Sequence, residues 1–466
     1  MATTIAPGPG SPVTAERRRG PGGRRGRLMK PGWPLTIVLL GYPVFWVLGI
    51  GIFVFPLVGL IAGAQLLFRR NLHAPKGFGI WLLYLAWVVA SLSQLDHVGS
   101  VFPIYRFINY LSVTGLFVWV YNSDPEDFPT RRAVGLLASF WLITVAGGWL
   151  GVLVPHGEFT SPAEKLLPAS LLTGAFEQMV HPAFAQVQDF LGYPLGRPKA
   201  PFAYTNDWGA VYALLAPFFF YGWLRASELV RRRRALIILA LSLIPVFISL
   251  NRGLWLGLGV ALLNAATRPG DVARAARRVL AVLLTLGLAI LLFTPLSSVV
   301  EQRAATGHSN QGRSYLYTET IDKANQAPIL GYGNTIKVAS VDSKKILPAI
   351  GTQGHFWTVL ISQGWIGALI FEAFLLKMWF STRKRGPTVT FWAHATITVA
   401  IVVQFTYDWM PVELHLIFFA MALGLRDAHR VDASAPDGAA GEPTDAHPAP
   451  PWSRAARRGD QTSRTL

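Results

Sequence analysis

The chain has no cysteine, and only 14% of its 466 residues are charged. The first absence excludes a disulfide framework and any thiolate metal site. The second excludes an ordinary soluble domain, which carries about a quarter charged residues. Acidic residues are scarcer than basic ones, 25 against 42, leaving a formal charge of +17. No internal repeat is visible, which argues against the inverted-repeat transporter architectures. The first 32 residues are rich in Pro, Gly and Arg and show no apolar core with a small-residue cleavage site, so no signal peptide is expected.

What is present in quantity is apolar. The chain is 52% hydrophobic with 16 tryptophans, and long apolar runs alternate with basic clusters. That pattern is the signature of an all-α, polytopic membrane protein. Runs of about 16 to 22 residues predict twelve transmembrane helices, at 34–49, 51–68, 78–95, 101–121, 133–154, 206–224, 235–250, 252–267, 279–295, 355–376, 388–407 and 411–426. The tails, 1–32 and 431–466, are expected to be disordered and the membrane domain to occupy 33–430. Two segments between spans are long, 155–205 and 296–353. The first contains an apolar stretch, Ala163 to Leu191, expected to lie on the membrane surface as a helix. The second is expected to hold a helix from Gly312 to Asn325.

A charge of +17 raises the possibility of nucleic-acid binding, but its distribution points to topology. With the N-terminus inside, and the span-end residues Arg252 and Arg426 counted with the segments they adjoin, 31 of the 42 Lys and Arg residues fall in cytoplasmic segments, 10 in external ones and one, Arg106, deeper within a span. The bias holds in the total and at the short external turns, as the positive-inside rule requires, while the two long external segments carry 3 and 6 basic residues of their own. Both termini are therefore expected in the cytoplasm, with 155–205 and 296–353 outside, and no nucleic-acid partner is expected.

That orientation gathers a set of polar groups on the external side. Arg252 opens a helix after Asn251, and Arg313 lies in the second long loop. His355 opens the helix after that loop, and Arg197 and Lys199 close the first loop. Guanidinium forks match phosphate oxygens. An imidazole at a helix N-terminus is biased by the dipole toward the neutral form a general base needs. Arg106 sits about five residues inside its helix, where it either snorkels to the interface or contacts a substrate phosphate. Asp408, in Thr406-Tyr407-Asp408-Trp409, can orient the histidine or simply end a helix at the interface. Each of these has a bland alternative as a headgroup contact or helix cap; their common face is what singles them out.

In order and spacing these motifs resemble the O-antigen ligase and polymerase family of bacterial envelope enzymes, from about Arg197 to Gly367. The resemblance rests on Arg252-Gly253 at a helix start, Gly312-Arg313 and then Pro328-Ile329-Leu330-Gly331-Tyr332-Gly333 in the large loop, and His355 opening a helix that carries Gly364-Trp365-Ile366-Gly367. Upstream, Pro201-Phe202-Ala203-Tyr204-Thr205-Asn206 looks like the family's aromatic and asparagine segment. Phe356 stands where the family usually has Asn after the histidine, and Leu250-Asn251 precede Arg252 where Ser is commoner. The resemblance implies a C-type glycosyltransferase-like fold in the bacterial cytoplasmic membrane with an externally facing site. It implies inverting transfer of a saccharide from a polyprenyl diphosphate to a sugar hydroxyl on a glycan or glycolipid, without cofactor. Arg252 and Arg313 would hold the diphosphate and His355 would act as base, with Arg197, Lys199, Tyr204, Asn206, Arg106 and Asp408 as secondary candidates.

No metal is expected either. Metal-dependent lipid-phosphate glycosyltransferases typically place carboxylates in the first external loop, where this chain has only Gly49-Ile50-Gly51. The acidic Asp124 to Asp127 stretch falls on the cytoplasmic side. Two rival readings remain at this stage: a polyprenyl-monophosphate-sugar glycosyltransferase, and a transporter or flippase for an anionic lipid-linked glycan. A transporter usually places its polar groups near the bilayer midplane, whereas these are expected at the outer face.

Overall fold

The computed structural model describes residues 31–69, 71–95, 101–169, 171–172, 175–190, 193–224, 228–268, 270–293, 308–336, 349–383 and 388–434. Nearly all of both tails, parts of the segment 296–353, and Arg225 to Ser227 lie outside them.

Each of the twelve apolar runs is helical, one of them (355–376) in two pieces: α1 (Trp33–Val47), α2 (Gly51–Leu66), α3 (Phe78–Ser91), α4 (Val101–Tyr121) and α5 (Thr130–Leu153), then α8 (Thr205–Phe219, extended by a π-helical turn Phe220–Leu224), α9 (Leu229–Ile248), α10 (Arg252–Ala266), α11 (Asp271–Phe293), α13 (His355–Thr382, broken at Gly364), α14 (Val389–Val403) and α15 (Val412–Ser434). The last continues past the boundary expected at 430. Three of them, α4, α5 and α13, are long and apolar enough to cross a membrane by length and composition. Aliphatic side chains point outward from the bundle, among them Val44, Leu57, Leu83, Leu284 and Leu369. Such a surface is costly in water and suits a lipid environment.

Close packing in the bundle relies on small residues. Gly59 and Gly63 of α2 lie against Ser112 and Gly115 of α4, close enough that a Cβ on Gly59 would fall 2.0 Å from the Ser112 hydroxyl. Backbones that approach this closely gain packing which lipid-facing leucines cannot supply. Further in, Trp81 of α3 is fully buried among Tyr84, Tyr110, Phe371, Phe374 and Phe418.

Two expectations are overturned. The stretch Ala163 to Leu191 is no surface helix. It contains two short helices, α6 (Pro162–Leu166) and α7 (Ala175–Val180), and then enters an antiparallel hairpin, β1 (Ala185–Phe190) with β2 (Tyr193–Pro198). Pro168 and Pro182 each lack the N–H a continuing helix needs. This segment packs on the α1–α2 turn, with Ala163 N–H donating to Leu48 O at 3.1 Å.

The second concerns the predicted span 355–376. Residue Gly364 has φ +70° inside α13, and the chain folds back there. The His355 and Phe371 rings sit 5.3 Å apart, although sixteen residues of straight helix would separate them by about 24 Å. The large loop causes the break. Its helix α12 (His308–Gln326) begins four residues before the expected start, and the following Pro328 to Gly333 runs into the gap at Gly364. Trp365 N–H donates to Pro328 O at 2.9 Å, while Tyr332 and Gly333 N–H donate to Ile361 O and Ser362 O, both at 2.9 Å. Trp87 Nε1 clasps the junction, donating to Ile329 O and Gln363 O at 3.3 and 3.1 Å. A Cβ on Gly331 would lie 2.5 Å from Gly364 N, and one on Gly364 would lie 2.6 Å from Pro328 O. Glycine is required on both sides of this contact, which explains why two glycine motifs far apart in sequence belong together.

Candidate active site

The fold-back carries His355 inward. Its imidazole is fully buried, stacked on Trp409 with centroids 4.8 Å apart and 9° between planes, and edged by Tyr110 at 6.3 Å. Tyr110 is the tenth residue of α4, so the imidazole lies about 14 Å along that helix from its first residue. The imidazole at the start of α13 is thus held inside the bundle, with the large loop packed against the break at Gly364.

His355 Nδ1 lies 3.1 Å from Asp408 Oδ1. An ionised carboxylate can only accept, so Nδ1 carries a proton; in the neutral imidazole Nε2 then keeps its lone pair. That Nε2 is buried and has no hydrogen-bond partner among the described residues. Asp408 is in turn fixed by Trp409 N–H, which donates to the same oxygen at 2.9 Å, and its side chain keeps 38% exposure. Burial pushes the Asp408 carboxyl up. The hydrogen bond from His355, the charges of His355 and Arg106, and the Trp409 amide more than offset this and hold it below the usual carboxylate range.

Tyr407 connects the pair to Arg252. Its carbonyl accepts from His355 N–H at 2.8 Å, and its hydroxyl donates to Asn251 Oδ1. Asn251 caps α10 by accepting from Leu254 N–H and donates through Nδ2 to Thr205 O at 3.0 Å. The next residue, Arg252, opens α10 with an exposed side chain, and Gly253 abuts the Tyr407 ring. Residues separated by more than 150 positions are thus locked into one corner. Neither Tyr407 nor Trp409 was singled out from the sequence; proximity to Asp408 in the chain was the only available clue.

The other candidates divide. Arg106 does not snorkel: its Nη1 donates to Asn334 Oδ1 at 3.0 Å and Nη2 reaches Thr335 Oγ1 at 3.5 Å, just after the glycine motif of the large loop. Arg197, on β2, donates through Nε to Ser249 O at 2.6 Å and through Nη1 to Gln188 Oε1 at 2.7 Å, tying the hairpin to the α9–α10 turn. Lys199 is buried, which pushes its ammonium below the ordinary lysine range, with Asp207 and Glu158 acting in the opposite direction. Tyr204 precedes α8, its N–H donating to Asp207 Oδ2 at 3.2 Å, and Asn206 sits half-buried in the first turn. Arg313 is carried by α12, and its side chain lies outside the described residues. Among the described residues no group of three or more His, Asp or Glu could hold a metal ion.

The arrangement can therefore do two things. It can accept a proton at Nε2 of a neutral His355, and it places the Arg106 charge where it acts on the paired Asp408. No protein-family model matches the chain, and no match is found among curated proteins.

Proposed function

We propose that this protein is an integral-membrane glycosyltransferase of the O-antigen ligase and polymerase kind. It crosses the bacterial cytoplasmic membrane about twelve times, with both termini in the cytoplasm. It transfers a glycan from a polyprenyl diphosphate to a sugar hydroxyl on a glycan or glycolipid acceptor at the external side. The observation that carries this reading is the buried His355–Asp408 pair with an unpartnered Nε2.

In the proposed step, an acceptor oxygen attacks the anomeric carbon while its proton passes to Nε2. The bond from that carbon to the diphosphate oxygen breaks, and its electron pair leaves with the diphosphate. Asp408 stabilises the imidazolium that forms. Arg252 and Arg313 offset the charge that gathers on the leaving group, and attack opposite to it inverts the anomeric centre. Because the imidazole is closed to water, side chains above Nε2 must move to admit the acceptor.

The rival transporter reading draws on the depth of the pair, about 14 Å along α4. A deletion strain separates the possibilities through its surface glycan and lipid-linked intermediates. Ligase loss leaves long chains on the carrier, polymerase loss leaves single repeat units, and transporter loss traps intermediates on the inner leaflet. The last outcome would refute the enzymatic reading.

A further inference from the structure

At the opposite end of the bundle two arginines meet with no carboxylate paired to them among the described residues. Arg268 follows α10, and Arg383 follows the last residue of α13. Arg268 Nη1 donates to the main-chain oxygen of Arg383, while its Nη2 is buried without a hydrogen-bond partner among the described residues. The Arg268 guanidinium lies over the Phe391 ring at 5.6 Å, and that of Arg383 lies over Trp379 at 5.2 Å. Arg277 joins the edge of the group, donating to Ala266 O at 3.2 Å. Among the described residues, neither Arg268 nor Arg383 forms an ion pair with an acid. Arg426, near the same end, is quite different: it donates to Asp427, Ser123, Thr130 and Phe128 O.

Burial, and then the Arg383 charge, push the Arg268 guanidinium below its ordinary range, as expected of a cation pair lacking a counter-charge. The aromatic faces hold both cations in place, and their forks suit the oxygens of a phosphate. We propose that Arg268 and Arg383, with Arg277 at the edge, form a phosphate-binding site occupied by an anionic lipid headgroup or by free phosphate. Leu263 and Phe380, 53% and 57% exposed, lie within two turns of the pair and offer an apolar surface for acyl chains. The orientation proposed above decides only which leaflet would supply a lipid, and the site is independent of glycosyl transfer.

Native mass spectrometry of the full chain in detergent, titrated with phosphatidylglycerol or phosphatidylcholine, tests it. One phosphatidylglycerol should be retained per chain, with phosphatidylcholine held more weakly. The double variant Arg268→Gln/Arg383→Gln should weaken retention by about tenfold or more, the loss expected for charge-assisted hydrogen bonds. Neutralising Arg232 and Arg233 instead should leave it unchanged. Should the double variant fold poorly, Arg383→Lys keeps the charge but loses the fork and should still weaken retention several-fold. Inorganic phosphate that displaces the lipid and raises the melting temperature would identify a soluble phosphate as the occupant and support the site. Equal retention by the wild-type protein and the Arg383→Lys or double variant, or equal loss in the Arg232/Arg233 control, would overturn it.

Discussion

Replacing Asp408 by asparagine removes a charge while leaving an oxygen in place to accept from His355 Nδ1. The buried imidazole keeps a hydrogen bond, so the melting temperature should stay near that of the wild-type protein. What disappears is the stabilisation of the imidazolium formed as the acceptor proton arrives. A hydrogen bond to a charged group contributes about 1.5 to 3 kcal/mol, and each 1.4 kcal/mol or so is tenfold in rate. Transfer should therefore slow roughly 10- to 100-fold with donor binding preserved. Asp408→Leu should lose the same rate and, in addition, about 1 to 3 kcal/mol of stability, because a buried N–H is left unpaired. His355→Ala, which removes the base itself, should slow transfer by about 10² to 10⁴-fold. The assay is product formation by purified protein in nanodiscs with lipid-linked donor and acceptor, beside donor binding and thermal unfolding. The Asp408 carboxyl is held below its usual range, so its folded value lies beneath its unfolded one. Its contribution is then fully present above about pH 4 and is lost only as pH falls through the folded value. Wild-type rates in Asp408→Asn would refute the orienting role.

Arg252→Lys and Arg313→Lys keep charge but lose bidentate geometry; both should reduce transfer strongly while the protein still inserts, and near-normal transfer in either removes that residue from the diphosphate clamp. Gly253→Ala would place a Cβ 2.5 Å from the Tyr407 hydroxyl; overpacking of this kind costs about 1 to 3 kcal/mol, read as a lower unfolding temperature with lost transfer. Cysteines introduced at Thr160 and Glu228, both exposed, should respectively react with and escape a membrane-impermeant thiol reagent in intact cells, and labelling at Glu228 would reverse the orientation. Transfer should continue in excess chelator; activity restored only by magnesium or manganese would favour a metal-dependent enzyme.

The helices were legible because apolar run length and basic punctuation are local signals, and even the tight turn at Asn251 could be read. The hairpin at 185–198 was misread for want of weight on its punctuation. Pro182 before it, Leu191-Gly192 at its centre and the alternation of Gln186 and Gln188 with Val187 are strand and turn signals, masked by overall apolarity. The break at Gly364 is different in kind. Gly364-Trp365-Ile366-Gly367 fits a helix, and only the backbone of 328–333 arriving from elsewhere makes it a reversal. Candidates at the site were found where residue chemistry is distinctive, as with His355, Asp408 and Arg252. The contact of Arg106 with Asn334 could not be read from the sequence, because the two lie 228 positions apart. Tyr407 carries no signal at all until Asn251 is placed beside it.

The reversal at Gly364 makes the height of the base a property of a hinge rather than of a span. Residues 328–333 act as the wedge that keeps it folded. Withdrawn, the wedge would free 355–363 to continue the line of the following helix, carrying the imidazole about 24 Å from Phe371 along that axis. The same loop is anchored by Arg106 and continues from the helix bearing Arg313. If the proposed transfer is right, a change that loosens the loop should alter donor capture and proton removal together, and variants in 328–336 should resist any sorting into binding defects and chemical ones.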